Sequence, residues 1–492
     1  MPSKVLIANR GEISIRIART LRELEIPVVA VFTEADRESL HLRFADEALA
    51  LGDDPRAYLD IERLVEAARR SGADAVHPGY GFLSENPDFA DACERARLTF
   101  IGPPASAIRA MASKPHARAL MSAAGVPVVP GGPASSLEEA TATARKVGYP
   151  IMVKATDGGG GKGMRRVETE AELAAALERT ASEAENAFGS RSLYIEKAID
   201  RPRHVEIQVL GDRHGRSIHL FERDCSIQRR HQKIVEETPC PTLPPAVLSE
   251  MVAVALRACE SIGYYSAGTV EFLLSPRGEF YFLEMNTRLQ VEHPITELTC
   301  GVDLVREMIR IADGEALGVE PIERRGAAIE VRLNAEDPRM GFLPSPGRIE
   351  RWTMPAGPGV RVDSGFTAGS EVTPFYDSLL AKIAVWGENR VTAVRRLRRA
   401  LRECSVIGIA TNLEFLLDLT QSADFASGHY DTDFVARNPE LGRTSLDEAA
   451  RADVAAALAA LSAEGEGGRS AALVTSQPAT SPWVMAERAR LR

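Results

Sequence analysis

The residues best equipped for chemistry lie in one stretch, Glu284-Met285-Asn286-Thr287-Arg288-Leu289-Gln290-Val291-Glu292-His293, just after the apolar run Phe280-Tyr281-Phe282-Leu283. Glu284, Asn286, Arg288, Gln290 and Glu292 occupy alternate positions, with Met285, Leu289 and Val291 among those between. In an extended chain this spacing places the polar set on one face and the apolar set on the other. An ordinary solvated strand face carries interchangeable Lys, Thr and Ser. Carboxylates, amides and a guanidinium are instead groups that handle metals and anions, so the pattern predicts a site.

A hairpin should position it. Residues 269–274 and 280–284 form two strand patterns around the turn Ser275-Pro276-Arg277-Gly278. With Leu274 opposite Glu279, Glu271 faces Phe282 and becomes the diagonal neighbour of Glu284, about 7–8 Å away. Two carboxylates held there repel unless a cation lies between them, and oxygen ligands suit Mg²⁺ carried by a nucleotide. Glu271, Glu284 and Asn286 are therefore the expected metal ligands. A register slipped by one would carry Glu284 to the opposite face and abolish the pair.

The whole chain constrains what such a site can serve. Its 492 residues correspond to about three domains. A net charge of −10 argues against nucleic acid as the main partner. The six cysteines are scattered, without C-x-x-C spacing, which favours reduced structural thiols over zinc or disulfides. The chain enters a strand pattern at Lys4-Val5-Leu6-Ile7-Ala8, and no apolar run approaches the ~20 residues of a membrane helix. A cytoplasmic protein without a membrane partner is expected.

Alternating strand and helix patterns through residue 76 predict a parallel, doubly wound sheet. The turn Ala8-Asn9-Arg10-Gly11-Glu12 lacks the three-glycine dinucleotide fingerprint. His77-Pro78-Gly79-Tyr80-Gly81-Phe82-Leu83-Ser84-Glu85-Asn86 falls at a strand's C-terminal edge, where such sheets bind ligands, and Asn86 should cap the helix that begins at Pro87. Ser136-Leu137-Glu138-Glu139 is a capping box whose helix stops at Gly148. The strand 150–155 then ends in Asp157-Gly158-Gly159-Gly160-Gly161-Lys162-Gly163-Met164, which departs from a Walker A loop but suits a mobile phosphate cover. In the strand pattern 204–209, His204, Glu206 and Gln208 share a face. The basic run Arg223 to Lys233 has the pattern of a solvated face or a phosphate patch, and the Glu236-Glu237 that follows favours a small anionic substrate over nucleic acid. Helices are expected at 13–24, 302–312 and 392–403. After about residue 440 an Ala-rich helix, a Gly/Glu linker and an isolated Trp483 suggest a partly disordered tail, expected to dock a partner.

Together the motifs IANRGEI, HPGYGFLSEN, KATDGGGGKGM, RDCSIQRRHQK, EMNTRLQVEH and RLNAEDP resemble, in order, those of the biotin carboxylases of the ATP-grasp superfamily. The resemblance implies an α/β and α+β multidomain protein: an N-terminal Rossmann-like domain over 1–112, an ATP-grasp domain over 113–320, a C-terminal biotin carboxylase domain over 321–440, and a tail over 441–492. It implies that Lys114 and Lys154 bind ATP phosphates under Gly160 and Gly161. Glu196, Lys197 and Ile199 would meet adenine, and His204 and His231 would complete the nucleotide site. Glu271, Glu284 and Asn286 would hold Mg²⁺ or Mn²⁺, in agreement with the hairpin. Lys233, Arg288, Gln290 and Val291 would surround bicarbonate, Glu292 would be its general base, and Arg332 would stabilise the biotin enolate.

The implied reaction is the carboxylation of biotin through carboxyphosphate, with a lid shielding that short-lived intermediate from water. No biotinyl-lysine motif occurs in the chain, so biotin is expected on a separate carrier protein, with a carboxyltransferase as further partner and a homodimer as the common assembly. Acetyl-CoA or another acyl-CoA is the favoured final acceptor, with pyruvate the alternative. Two competitors are an ATP-grasp ligase of other chemistry, which should lack Lys233, Arg288 and Glu292 together, and a non-catalytic assembly protein, which has no reason to keep the whole set.

Overall fold

The structure, a computed structural model, describes residues 1–156, 163–318 and 322–443. The expected glycine cover, including Gly160 and Gly161, and the tail with Trp483 lie outside the described residues.

The N-terminal sheet is parallel throughout. Its order is Glu47–Gly52, Val28–Thr33, Val5–Ile7, Ala75–His77, Thr99–Phe100. The order reverses between Val5–Ile7 and Ala75–His77, and at that switch point the loops leaving the strands part to form a crevice. Both loops face the site: residues 9–13 follow one strand and residues 80–82 follow the other. Asn9 pins them together, donating from Nδ2 to the carbonyls of Pro78 and Tyr80, each at 2.7 Å. Gly79 sits at φ +65°, and a Cβ there would meet Asn9 Nδ2 at 2.9 Å, so the close approach requires glycine. Ile13, Ile17 and Leu21 of helix Gly11–Glu23 pack on Val5 and Ile7. Asn86 caps helix Pro87–Arg95 as its sequence predicts, accepting from the N–H groups of Asp88 and Phe89.

A second sheet carries the middle of the chain. It is antiparallel, with strands Gly131–Pro133, Leu193–Lys197, Ile151–Ala155 and Met164–Val167 in that order. Helices Leu137–Val147 and Glu170–Phe188 cover it with Ala140, Ala144, Leu173 and Ala176. Half of the capping box forms: Ser136 accepts from the Glu139 N–H, while Glu139 Oε2 accepts from the N–H of Ser135, one residue before the cap, at 2.9 Å.

The third sheet has eight strands, in the order Phe280–Asn286, Ser266–Leu274, Arg203–Gly211, Ser217–Arg229, Gln232–Thr238, Ala327–Asn334, Leu379–Gly387, Val360–Ser364. All neighbours are antiparallel. The sheet spans both sides of the expected domain limit at 320, because Val235 to Thr238 pair with Val331 to Ala328. Beneath its far end, helices Arg390–Glu403 and Leu413–Gln421 supply Leu397, Leu401, Phe415 and Leu416 to a core shared with Ile329, Val331, Ile383 and Val385.

The hairpin register corrects the expected one. Leu274 pairs with Phe280 rather than Glu279, Leu273 with Tyr281 and Phe272 with Phe282. Alone, that one-residue slip would turn Glu284 away from Glu271. A β-bulge intervenes: Leu283 is the extra residue, and Glu271 then stands directly opposite Glu284, Val270 opposite Met285, and Thr269 opposite Asn286. The core explains the bulge, since Val270, Phe272, Leu274, Phe280, Phe282 and Met285 all enter one apolar cluster. The expected five-residue polar face also ends early. The strand stops at Asn286, residues 287–292 are irregular, and helix His293–Cys300 begins with Pro294 in its first turn.

Candidate active site

Between the three sheets lies a cleft of about 970 Å³. Its floor is the polar face of the eight-stranded sheet, where Glu284, Glu271, Glu206 and Arg223 stand abreast on four successive strands. Arg223 is fully buried, not part of a solvated basic run. It is ion-paired to Glu206 and donates from Nη1 to Gln208 Oε1 at 2.6 Å and Thr296 Oγ1 at 2.9 Å. Glu206 is thus turned toward Lys233, whose Nζ reaches Glu206 Oε2 at 2.6 Å, Glu292 Oε1 at 2.7 Å and Glu271 Oε1 at 2.8 Å. Lys233 and Glu292 lie fifty-nine positions apart in sequence, and the long strand Ser217–Arg229 with its return Gln232–Thr238 brings them together.

Glu292 is completely buried. Burial works to raise its pKa, but Lys233 and Arg332 outweigh that and hold the carboxylate below its usual range. Arg332 donates from Nη2 to Glu292 Oε2 at 3.0 Å and from Nε to Glu236 Oε1 at 2.7 Å. Arg288, the next cation along, donates to Glu85 Oε2 and Asn286 Oδ1, both at 3.0 Å, and to Gln290 Oε1 at 2.9 Å. Glu85 also accepts from the Thr287 N–H at 3.0 Å, which ties the irregular segment to the HPGYGFLSEN loop. Arg288, Gln290, Val291 and Arg332 line the same part of the cleft.

Glu271 and Glu284 are shifted in opposite directions. Burial disfavours ionisation of Glu271, yet Lys233 and then His204 hold its pKa well below the carboxylate range. His204 Nε2 lies 2.8 Å from Glu271 Oε2, and Asn286 Nδ2 donates to Oε1 at 2.8 Å. Glu284, whose side chain opens partly to the cleft, is raised by its partial desolvation between the cleft walls first and then by Glu271. Lys114 Nζ is 3.9 Å from it. The available donors are all oxygen: two directly opposed carboxylates and the amide carbonyl of Asn286. Such a set suits a hard divalent cation, and the repulsion that raises Glu284 is what that cation would relieve. The residues fit Mg²⁺ or Mn²⁺. The groupings His204–Glu206–Glu271 and Glu206–Cys225–Glu292 are also tight enough for a metal, but the Lys233 ammonium already bonds their carboxylates.

The other end of the cleft is lined by Lys154, Glu196, Lys197, Ile199 and His231. Glu196 bridges Lys154 of the neighbouring strand and Arg118 of helix Lys114–Ala123. Lys197 donates to the carbonyls of Gly148 and Tyr149, each at 2.9 Å, so its amine braces the backbone beside the cleft. His231 occupies a tight turn at φ +66°, and its pKa is lowered by burial and by Lys154. Every expected site residue among those described thus either lines the cleft or, like Glu292, bonds residues that do. Glu206, Arg223, Glu236 and Glu85 were not singled out as site residues. Glu206 carries a signal in the face it shares with His204 and Gln208, Arg223 and Glu236 in and beside the basic run, and Glu85 in the HPGYGFLSEN loop.

Comparison with known proteins agrees with this arrangement. Residues 1–108 match the model of the biotin carboxylase N-terminal domain, residues 113–320 that of the carbamoyl-phosphate synthase L chain ATP-binding domain, and residues 330–437 that of the biotin carboxylase C-terminal domain. The chain is 51% identical over 435 residues to the biotin carboxylase of Pseudomonas aeruginosa, covering 87% of this chain and 96% of the relative. It is 49% identical over 451 residues to biotin carboxylase 1 of Bacillus subtilis, covering 90% of this chain and 100% of the relative. The structure superposes with a TM-score of 0.88, at 46% identity and over 90% of this chain and 99% of the other, on the biotin carboxylase domain dimer of 2-oxoglutarate carboxylase from Hydrogenobacter thermophilus, solved with MgADP, ADP and bicarbonate. This chain belongs to the biotin carboxylase family of ATP-dependent ligases, with the family's N-terminal, ATP-binding and C-terminal domains.

Proposed function

We propose that the cleft residues divide the carboxylation of biotin among themselves as follows. Lys114 and Lys154 receive the ATP phosphates, with Gly160 and Gly161 of the glycine-rich loop closing over them. Glu196, Lys197 and Ile199 flank the adenine, while His204 and His231 complete the nucleotide site. Glu271, Glu284 and Asn286 hold Mg²⁺ or Mn²⁺, which when bound would offset charge on the phosphoryl group. Lys233, Arg288, Gln290 and Val291 seat bicarbonate, and Glu292 removes its proton. The carbonate that results attacks the γ-phosphorus of ATP through one oxygen, and the bond from that phosphorus to the β,γ-bridging oxygen breaks, giving carboxyphosphate and ADP. Carboxyphosphate breaks down in the closed site to CO₂ and phosphate, and phosphate takes the ureido proton of biotin. Arg332 stabilises the enolate that attacks CO₂.

The observation that carries this assignment is the buried Glu292, clamped between Lys233 at 2.7 Å and Arg332 at 3.0 Å. A base must be ionised before it can accept a proton, and these two cations keep this one so. They also supply the positive charge that a bicarbonate anion and an enolate oxygen need.

Biotin arrives on a carrier protein, and a carboxyltransferase passes the carboxyl group on. That transferase sets the acceptor, an acyl-CoA in the favoured case and pyruvate in the alternative. The relative solved as a domain dimer supports a homodimer. A cytoplasmic location belongs to the same reading. No helix among the described residues is long and apolar enough to cross a membrane. Domain limits at 1–112, 113–320 and 321–440 are supported by the matched ranges.

The test is ADP release with Mg-ATP, with bicarbonate and biotin each added or omitted. Release should require bicarbonate and rise with biotin or a biotinylated carrier. Arg332→Ala should keep nucleotide binding and lose most of the biotin response. Release indifferent to both forms of biotin would point to another ATP-grasp ligase, and equal loss of both properties would remove Arg332 from its role.

A further inference from the structure

Leu379-Leu380-Ala381-Lys382-Ile383-Ala384-Val385 is an apolar strand interrupted by one lysine. Nothing in the reaction assigned above uses it. Its side chain is 1% exposed. A buried ammonium is costly unless charge and hydrogen bonds satisfy it. Here the cost is greater still, because Lys382 stands directly opposite Arg332 on the neighbouring strand, where like charges destabilise a sheet. Such a residue needs a compensating use.

Its bonds show where that use lies. Lys382 Nζ donates to the backbone carbonyl of Val291 at 2.9 Å. It lies 3.2 Å from Glu12 Oε1 and 3.8 Å from Asp363 Oδ2. Glu12 is in turn hydrogen-bonded to the Tyr80 hydroxyl, which belongs to the HPGYGFLSEN loop. The carbonyl of Val291 belongs to the peptide that joins Val291 to Glu292. Residues 287–292 have no strand ladder to hold them. The plane of that peptide therefore depends on Lys382, reaching in from the next-to-last strand of the sheet, and on the preceding Gln290–Val291 peptide, whose carbonyl lies 2.8 Å from His293 Nδ1.

We propose that Lys382 is a positioning residue for bicarbonate, acting through the Val291–Glu292 peptide. By fixing that plane it sets the Val291 contact and the origin of the Glu292 side chain together. Glu12 and Asp363 hold the ammonium in place, so the N-terminal loop and the last strands of the large sheet jointly define the geometry of the bicarbonate segment. The inference rests on the bicarbonate site proposed above.

The experiment is steady-state ADP release by Lys382→Met with bicarbonate and ATP varied separately, alongside Mg-ADP binding and thermal melting of the same protein. The expected result is a KM for bicarbonate raised tenfold or more, with the KM for ATP and the affinity for Mg-ADP within twofold of wild type. Lys382→Arg, which keeps charge and donors but adds planar bulk, should shift the bicarbonate KM in the same direction by less. Should Lys382→Met fail to fold, the same split is read from Lys382→Arg. A bicarbonate KM unchanged in the variant that folds, or one that moves no more than the KM for ATP, overturns the proposal. Wild-type ADP release that ignores bicarbonate would instead defeat the proposed bicarbonate site, leaving the two failures distinguishable.

Discussion

Two pairs of glutamates face each other across neighbouring strands of the large sheet, Glu271 with Glu284 and Glu236 with Glu330. Like charges so placed repel, and the two pairs settle the conflict differently. Glu271 and Glu284 both line the cleft, within reach of Lys233, His204 and Lys114. There Glu271 stays ionised, and Glu284, 43% exposed at its side chain, can be neutralised by a cation arriving with substrate. Glu236 and Glu330 are fully buried. Burial, then Glu292 against the pull of Arg332, pushes Glu236 up to about 7. Glu330 is raised well above the carboxylate range by burial, and neither of its oxygens has a hydrogen-bond partner among the described residues. One pair keeps the Glu271 charge for a ligand; the other relieves its repulsion by taking up a proton at Glu330.

Substitution should separate the pairs by orders of magnitude. Glu271→Gln removes one of the oxygen ligands proposed for the metal and a partner of Lys233, so bicarbonate-dependent ADP release should fall by about 10²–10³. Raising the Mg²⁺ concentration should recover part of that loss, and a loss under threefold at all Mg²⁺ levels would erase the contrast.

Glu236→Gln should act more mildly and through pH. Above pH 7 the wild-type carboxylate is ionised and grips Arg332; below it, protonation weakens that grip. The kcat/KM for biotin should therefore fall on the acid side of about 7 in the wild type. In Glu236→Gln the limb should be missing, at a level about tenfold lower above pH 7, as expected for one charge-assisted hydrogen bond of about 1.5 kcal/mol. An unaltered limb in the variant would assign it to another group.

Glu330→Gln should have the smallest effect, and on stability alone. A carboxyl whose folded pKa is raised binds more protons in the native state, so stability falls as pH rises above the ordinary value of 4.5. The glutamine variant lacks that penalty. Denaturant melts should show it equal to wild type near pH 5 and more stable near pH 8, by about 1–2 kcal/mol. A wild-type advantage that grows with pH would mean that Glu330 is ionised and paired.

The sequence exposed these pairs unequally. Glu284, Asn286, Arg288, Gln290 and Glu292 could be recognised because chemistry-bearing types crowd one short stretch. Their expected common face failed beyond Asn286, since Pro294 and the helix start at His293 end the extended backbone. The carboxylate pair was inferred from a hairpin whose turn was misjudged by one residue, and the bulge at Leu283 restored it. Glu236 and Glu330 gave no signal because their pairing joins strands separated in sequence by helices and a hairpin. Lys382 was hidden for the same reason: a lone lysine reveals its partner only when Val291 is seen beside it.

The bulge gives the Phe280–Asn286 strand two reading frames. Phe280 and Phe282 are in phase with the core on one side of Leu283, and Met285 is in phase with it on the other. The apolar half and the chemical half of the hairpin can therefore vary separately in side-chain type, provided that Leu283 stays out of the ladder. Regular pairing through Leu283, with no residue changed, would leave both segments intact in composition and yet point the carboxylate of Glu284 into oil.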